Sequence, residues 1–207
     1  MSGKFITLEG GEGVGKSTQL KALAEAIRAR GHSVVTTREP GGSPGAEAIR
    51  ALLMTGDADR WSPRAEALLF AAARADHVEK TIRPALARGE WVLCDRFIDS
   101  TRAYQGGAGG LSDSDIMALH GVGSAGLMPD RTLVLTLDLD QAAGRAEARD
   151  GRKADRFALQ HKQYHRDVAN AFQAMAVASP ERMRLVSAVG SPEEVTARSL
   201  AALGDLL

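Results

Sequence analysis

The chain has 207 residues, enough for one well-cored α/β domain and too few for two large ones. Its 26 Lys and Arg balance 26 Asp and Glu, so no global field draws it onto nucleic acid or an anionic membrane surface, and any anion site has to be local. No apolar run approaches a membrane span, and the N-terminus lacks the apolar segment of a signal peptide; together these predict a cytoplasmic protein with no membrane or nucleic-acid partner.

An apolar run at 5–8 predicts the first strand, and it leads into Gly10-Gly-Glu-Gly-Val-Gly-Lys-Ser-Thr18. Gly10, Gly15, Lys16 and Ser17 satisfy G-x-x-x-x-G-K-[ST], the pattern of a phosphate-binding loop. Along Gly10, Gly11, Glu12, Gly13, Val14 and Gly15, backbone N–H groups can wrap a triphosphate such as that of ATP, because glycines let the backbone approach oxygen atoms. Lys16 can reach the β and γ phosphates, the Ser17 hydroxyl can coordinate Mg²⁺, and Thr18 is a further donor. The alternative is a glycine-rich turn with no ligand. The next residues of the chain argue against that alternative, since Leu20, Leu23, Ala24 and Ile27 repeat at i, i+3, i+4, i+7 and predict the amphipathic helix that such a loop requires.

Further apolar runs at 34–37, 91–94, 133–137 and 183–186 alternate with helical patterns, which predicts βαβ units around a five-stranded parallel sheet. In such sheets ligands collect beyond the carboxyl ends of the strands. After the second strand, Arg38-Glu-Pro-Gly-Gly42 is a turn that sets a cation and a carboxylate at that end, as a plain surface turn or as a phosphate contact; a cis Pro40 would fix it. Ser62-Pro63 and Gly89 bound a long helix that Pro84 should kink or split. Within it Phe70 and Arg74 share a face of an otherwise apolar stretch, so Arg74 needs a route to water, a protein partner or a ligand carbonyl. Cys94, the one cysteine, lies in an apolar run and is predicted to be buried and inert.

Asp95-Arg96 closes the third strand. Asp95 suits a magnesium or magnesium-water ligand and Arg96 a second phosphate, the alternative being a buried ion pair. The stretches 106–110 and 150–154 are predicted to be flexible loops. Asp138 and Asp140 resemble a helix cap. Arg145, Arg149, Arg152, Lys153 and Arg156, interleaved with Glu147, Asp150 and Asp155, form either a solvated face or a loop that swings arginines onto a transferring phosphate. His161 and His165 have a spacing that can bind metal but lack the glutamate of a metalloprotease helix.

Taken together, Glu9 to Thr18, Thr37-Arg-Glu-Pro-Gly-Gly42, Phe70-Ala-Ala-Ala-Arg74, Asp95-Arg-Phe-Ile-Asp-Ser-Thr-Arg-Ala-Tyr-Gln-Gly106 and Asp155-Arg-Phe157 resemble bacterial thymidylate kinase, in order and across nearly the whole chain. The resemblance implies a single three-layer P-loop kinase domain with strand order 2-3-1-4-5, a homodimer, and transfer of the ATP γ-phosphoryl group to dTMP with Mg²⁺ held at Ser17 and Asp95. Phe70 would lie against thymine, Arg74 on its O4, Thr101 and Gln105 at the base edge, and Tyr104 under the deoxyribose. Arg96 would hold the acceptor phosphate, Arg38 stands near it, and Glu12 would meet the 3′-hydroxyl. The phosphate loop has no arginine, so the chain resembles the subtype with a catalytic arginine in a lid at about 145–157, either Arg149 or Arg152. The acidic residue usual after Asp-Arg-Phe is here Ala158. Rival readings are a kinase for another nucleoside monophosphate and a P-loop GTPase switch, the latter opposed by the lack of an Asn-Lys-x-Asp sequence.

Overall fold

The five apolar runs form one parallel sheet: β1 (Phe5–Glu9), β2 (Val34–Arg38), β3 (Trp91–Asp95), β4 (Arg131–Thr136) and β5 (Met183–Ser187), in the order β2-β3-β1-β4-β5. The computed structural model describes residues 3–57, 59–150, 157 and 160–207, with the backbone alone at 149 and 150. Four strands run one residue past their apolar stretch, into Glu9, Arg38, Asp95 and Ser187, because a polar terminal residue pairs in the ladder as well as an apolar one. β4 is shifted towards the N-terminus instead. Arg131 opens it, its guanidinium bound to the Ala202 carbonyl at 2.7 Å and to Asp205 at 2.6 Å.

Side chains alternate across β1. Ile6 and Leu8 meet α1 (Lys16–Arg28), α7 (Leu139–Asp150) and α9 (Pro192–Ala201) through Leu23, Ile27, Ala142 and Val195. Phe5 faces the other layer, where Phe97, Ile82 and Val78 pack on Val92 and Cys94. Thr7 also faces it and opens a buried polar network: its hydroxyl meets that of Thr132 at 2.8 Å, and Asp99 accepts from Thr132 at 3.1 Å and from Arg182 at 2.6 and 3.0 Å. This network ties α5 (Ile98–Thr101) to the sheet.

The long helix bounded by Pro63 and Gly89 is interrupted before Pro84, as that residue's missing N–H requires. It divides into α3 (Pro63–His77), a π-helical turn at Val78–Ile82, and α4 (Arg83–Ala87). Among the described residues four helices were not anticipated, α5 and α9 among them. In α2 (Pro44–Met54) the Ser43 hydroxyl caps the first turn and Pro44 stands at N1, so the turn residues of 41–44 are also a helix start. α6 (Asp113–Ser124) is likewise capped, by Ser112.

The loop expected at 106–110 is helical as far as Ala108, and only Gly109 and Gly110 lie outside the helix. Arg102–Ala108 continues α5 as a π-helical segment packed against α8 (Lys162–Ala178), and a Cβ on Gly107 would lie 2.5 Å from that of Ala171. Gly107 permits the close approach of α8. Cys94 is fully buried, as expected, and burial pushes its thiol well up. The expected loop at 150–154 lies outside the described residues beyond the backbone of Asp150. Among the described residues, no helix is long and apolar enough to cross a membrane.

Candidate active site

A cavity of about 860 Å³ opens at the carboxyl ends of β1, β2 and β3, with the phosphate loop along one side. Gly10, Gly13 and Gly15 have φ of 128°, 70° and 92°. Only glycine suits the turn at Gly13, since a Cβ there would collide with the Ala142 carbonyl. Glu12 to Thr18 line the cavity, whereas Gly10 and Gly11 act through their carbonyls, which accept from the Lys16 ammonium at 3.1 and 2.6 Å. Burial and the neighbouring Arg96 lower the Lys16 pKa to about 8, against the pull of Glu12, Asp95 and Glu9. The amine is thus held at the loop in an electropositive, partly dehydrated place.

Beside it the Ser17 hydroxyl donates to Asp95 at 2.9 Å. Two hard oxygen donors at the mouth of a phosphate loop fit Mg²⁺, which takes one or two protein oxygens and completes its shell with water and phosphate. No group of three or more His, Cys, Asp or Glu able to cage a metal occurs among the described residues. His161 caps α8, its Nδ1 accepting from the Tyr164 N–H at 3.1 Å. Asp138 likewise caps α7, accepting from Asp140 and Gln141.

Arg96 has φ 71°, a left-handed conformation that is rare outside glycine. Its guanidinium donates to Gly10 O at 3.0 Å, to the Ser100 hydroxyl at 3.1 Å and to Glu12 at 2.6 Å, and lies 5.0 Å over the Tyr104 ring. Behind it stands Glu9, which sequence reasoning did not single out as a functional group. It accepts from the Phe97 N–H at 2.7 Å and the Ser100 hydroxyl at 2.6 Å, while burial and then Asp99 raise its pKa to about 7. A carboxylate closing an apolar strand immediately before the loop was the available signal.

Arg74 has both a protein partner and access to the cavity. Nε donates to Glu39 at 2.8 Å, Nη2 to Thr101 at 2.9 Å and to Phe97 O at 3.3 Å, and Nη1 makes no hydrogen bond to a described residue. Glu39 in turn meets His77 Nδ1 at 3.0 Å, and His77 Nε2 meets the Thr37 hydroxyl at 2.7 Å. This buried chain fixes the plane of the guanidinium. The Glu39–Pro40 peptide bond in the turn that carries Glu39 is cis. Arg38 is further out, half-exposed at the cavity mouth and paired with Glu47 at 3.0 and 3.1 Å.

Phe70, Thr101, Tyr104 and Gln105 complete this end, and Phe157 stands 5.9 Å from Phe70 and 6.2 Å from Tyr104 between ring centroids. Thr101, Tyr104 and Gln105 share one helical face. The Tyr104 hydroxyl is buried without a hydrogen-bond partner among the described residues, and burial pushes the phenol up. At the opposite end Arg145, Ala188, Gly190, Pro192 and Val195 form a second slot, which sequence reasoning missed although a Gly-Ser-Pro turn follows β5. Arg152 and Ala158 lie outside the described residues, as does the side chain of Arg149.

The thymidylate kinase family model matches residues 8–198. The chain is 61% identical over 207 residues, all of both chains, to thymidylate kinase from Rhizorhabdus wittichii. It is 51% identical over 195 residues, 94% of this chain and 93% of the relative, to thymidylate kinase from Caulobacter vibrioides. The crystal structure of thymidylate kinase from Ehrlichia chaffeensis superposes with a TM-score of 0.79 at 30% identity, covering 98% of this chain and 100% of that one. The chain belongs to the thymidylate kinase family.

Proposed function

We propose that this protein transfers the γ-phosphoryl group of ATP to dTMP, giving dTDP and ADP. The observation that carries the reading is the junction, in one cavity, of a phosphate loop with an aromatic slot whose edge holds Arg74, Thr101 and Gln105. Its membership in the family supports it.

A phosphate monoester has its second pKa near 6, so the acceptor oxygen is already mostly ionised at pH 7 and no strong base is needed. Positioning and charge neutralisation remain. Lys16 lies where β and γ phosphates would sit. Arg96, braced by Glu12, Ser100 and Gly10, presents a fixed cation to the acceptor phosphate. Ser17 and Asp95 would hold Mg²⁺, which would neutralise charge on the phosphate oxygens. Tyr104 underlies the sugar and Phe70 stacks on the base. Two copies of the chain form a homodimer, a state supported by the exposed Leu68 and Val122 on the packed helices α3 and α6 and checked by sedimentation, where a monomer at micromolar concentration would exclude it.

The acceptor order tests the assignment. Arginine only donates hydrogen bonds, and thymine and uracil offer an acceptor at position 4 where cytosine offers an amine. Opposed donors in a dry pocket stay unpaired, so dCMP should be nearly excluded. One methyl group is worth about 1–3 kcal/mol, which puts dUMP roughly 10 to 200-fold below dTMP, and UMP lower still because Tyr104 closes the space of a 2′-hydroxyl. If dGMP or AMP turned over faster than dTMP, the protein would be a kinase for another monophosphate.

A further inference from the structure

Glu66 lies in the first turn of α3, where a carboxylate favours the helix N-terminus, yet it points inward and is buried. Its Oε2 accepts from the side-chain amide nitrogen of Gln105 at 2.9 Å, and Gln105 is 2% exposed. A carboxylate can only accept, so it admits the NH₂ end of the amide and rejects the oxygen. Gln105 Oε1 is therefore turned away from Glu66. It makes no hydrogen bond to a described residue, is not sealed from solvent, and belongs to a side chain that lines the cavity. One helical turn earlier, Thr101 holds Arg74, so the open amide oxygen and the open Nη1 of Arg74 lie on the same stretch of wall.

We propose that Glu66 is a positioning residue for base selection: by fixing which end of the Gln105 amide faces the cavity, it presents an acceptor beside the Arg74 donor. This rests on the assignment of dTMP as the acceptor. Thymine and uracil offer an N–H at position 3 beside the carbonyl at position 4, matching acceptor and donor in turn. Cytosine offers a bare nitrogen and an amine, mismatching both. If the amide could flip, Gln105 would donate to cytosine N3 and half of the discrimination would vanish.

Glu66→Gln is nearly isosteric and can accept from or donate to Gln105, so it releases the amide. The kcat/KM ratio of dTMP to dCMP should fall about tenfold or more, through acceptor KM, with KM for ATP unmoved. Glu66→Asp keeps an acceptor-only partner and should keep most of the ratio. In a Gln105→Ala background, Glu66→Gln should leave the ratio where Gln105→Ala puts it. Should Glu66→Gln not fold, Glu66→Ala frees the amide and gives the same comparison. A folded Glu66→Gln enzyme with an unchanged ratio overturns the proposal, as does a change that persists without Gln105. A wild-type enzyme that does not prefer dTMP overturns the functional reading itself and is seen first, before any variant is made.

Discussion

Lys16→Ala should lower kcat/KM for phosphoryl transfer by about 10³-fold or more and leave the fold intact, because the ammonium serves phosphate and its removal opens no apolar cavity. It gives up two hydrogen bonds to the Gly10 and Gly11 carbonyls, and it also removes a cation whose burial is unfavourable. Those effects oppose each other, so the unfolding midpoint should move little. The Lys16 pKa of about 8, against 10.5 in the unfolded chain, adds a pH test. Between those values the unfolded state binds more protons, so wild-type stability should gain on the variant as pH rises through that window and run parallel to it below pH 8. Nucleotide phosphates raise the pKa again. ATP binding at pH 8 to 9 should therefore take up a proton, seen as a heat that depends on the buffer's ionisation enthalpy, and the variant should take up none. Near wild-type turnover by Lys16→Ala would remove the central claim.

The features legible in the sequence were local, and those that escaped it were long-range. The phosphate loop is a contiguous pattern, and Asp95 with Arg96 closes an apolar strand, so both stand out from their neighbours. The bracing of the site does not. Arg74 meets Glu39 from 35 residues away, Glu39 meets His77 across 38, and Gln105 meets Glu66 across 39. Glu39, His77 and Glu66 are charged or polar residues that the sequence alone would leave on a solvated surface. The two readings of Arg74, protein partner and ligand contact, proved compatible, because a guanidinium has enough donors for both. Truncating Arg74 would strand a buried carboxylate, at a cost of about 3–5 kcal/mol, so base selection is better probed through Glu66. Gly107, read as part of a loop, misled for a related reason. A small residue that lets α8 approach and one that frees a loop look alike until the neighbouring helix is known.

The phosphates must also be neutralised on the side away from Lys16. Of the cations that the described residues place on the cavity, Lys16 is committed to the loop carbonyls, Arg96 to Glu12 on the acceptor side, Arg38 to Glu47 at the mouth, Arg50 to the Pro40 carbonyl, Arg74 to Glu39 and Thr101 at the base end, and Arg145 lies beside Ala188 in the far slot. The loop between Gly11 and Lys16 contributes Glu12 and Val14 but no arginine. We infer that the missing charge comes from the segment after Arg145. α7 brings Arg145 to the cavity, Arg149 comes one turn further along its backbone, and Arg152 follows three residues later in the sequence. A cation that meets the phosphoryl group only as it moves stabilises the transition state and not the ground state. Its removal should therefore cut kcat by roughly 10³ to 10⁵-fold, the scale of an arginine finger, and shift KM for ATP and dTMP by no more than a few fold. Arg149→Ala and Arg152→Ala, measured singly, should separate the two candidates, one showing this collapse of kcat and the other a modest loss. If both turned over like the wild type, the basic run would be a solvated helix face, and Lys16 and Arg96 would carry the transfer with the bound metal alone.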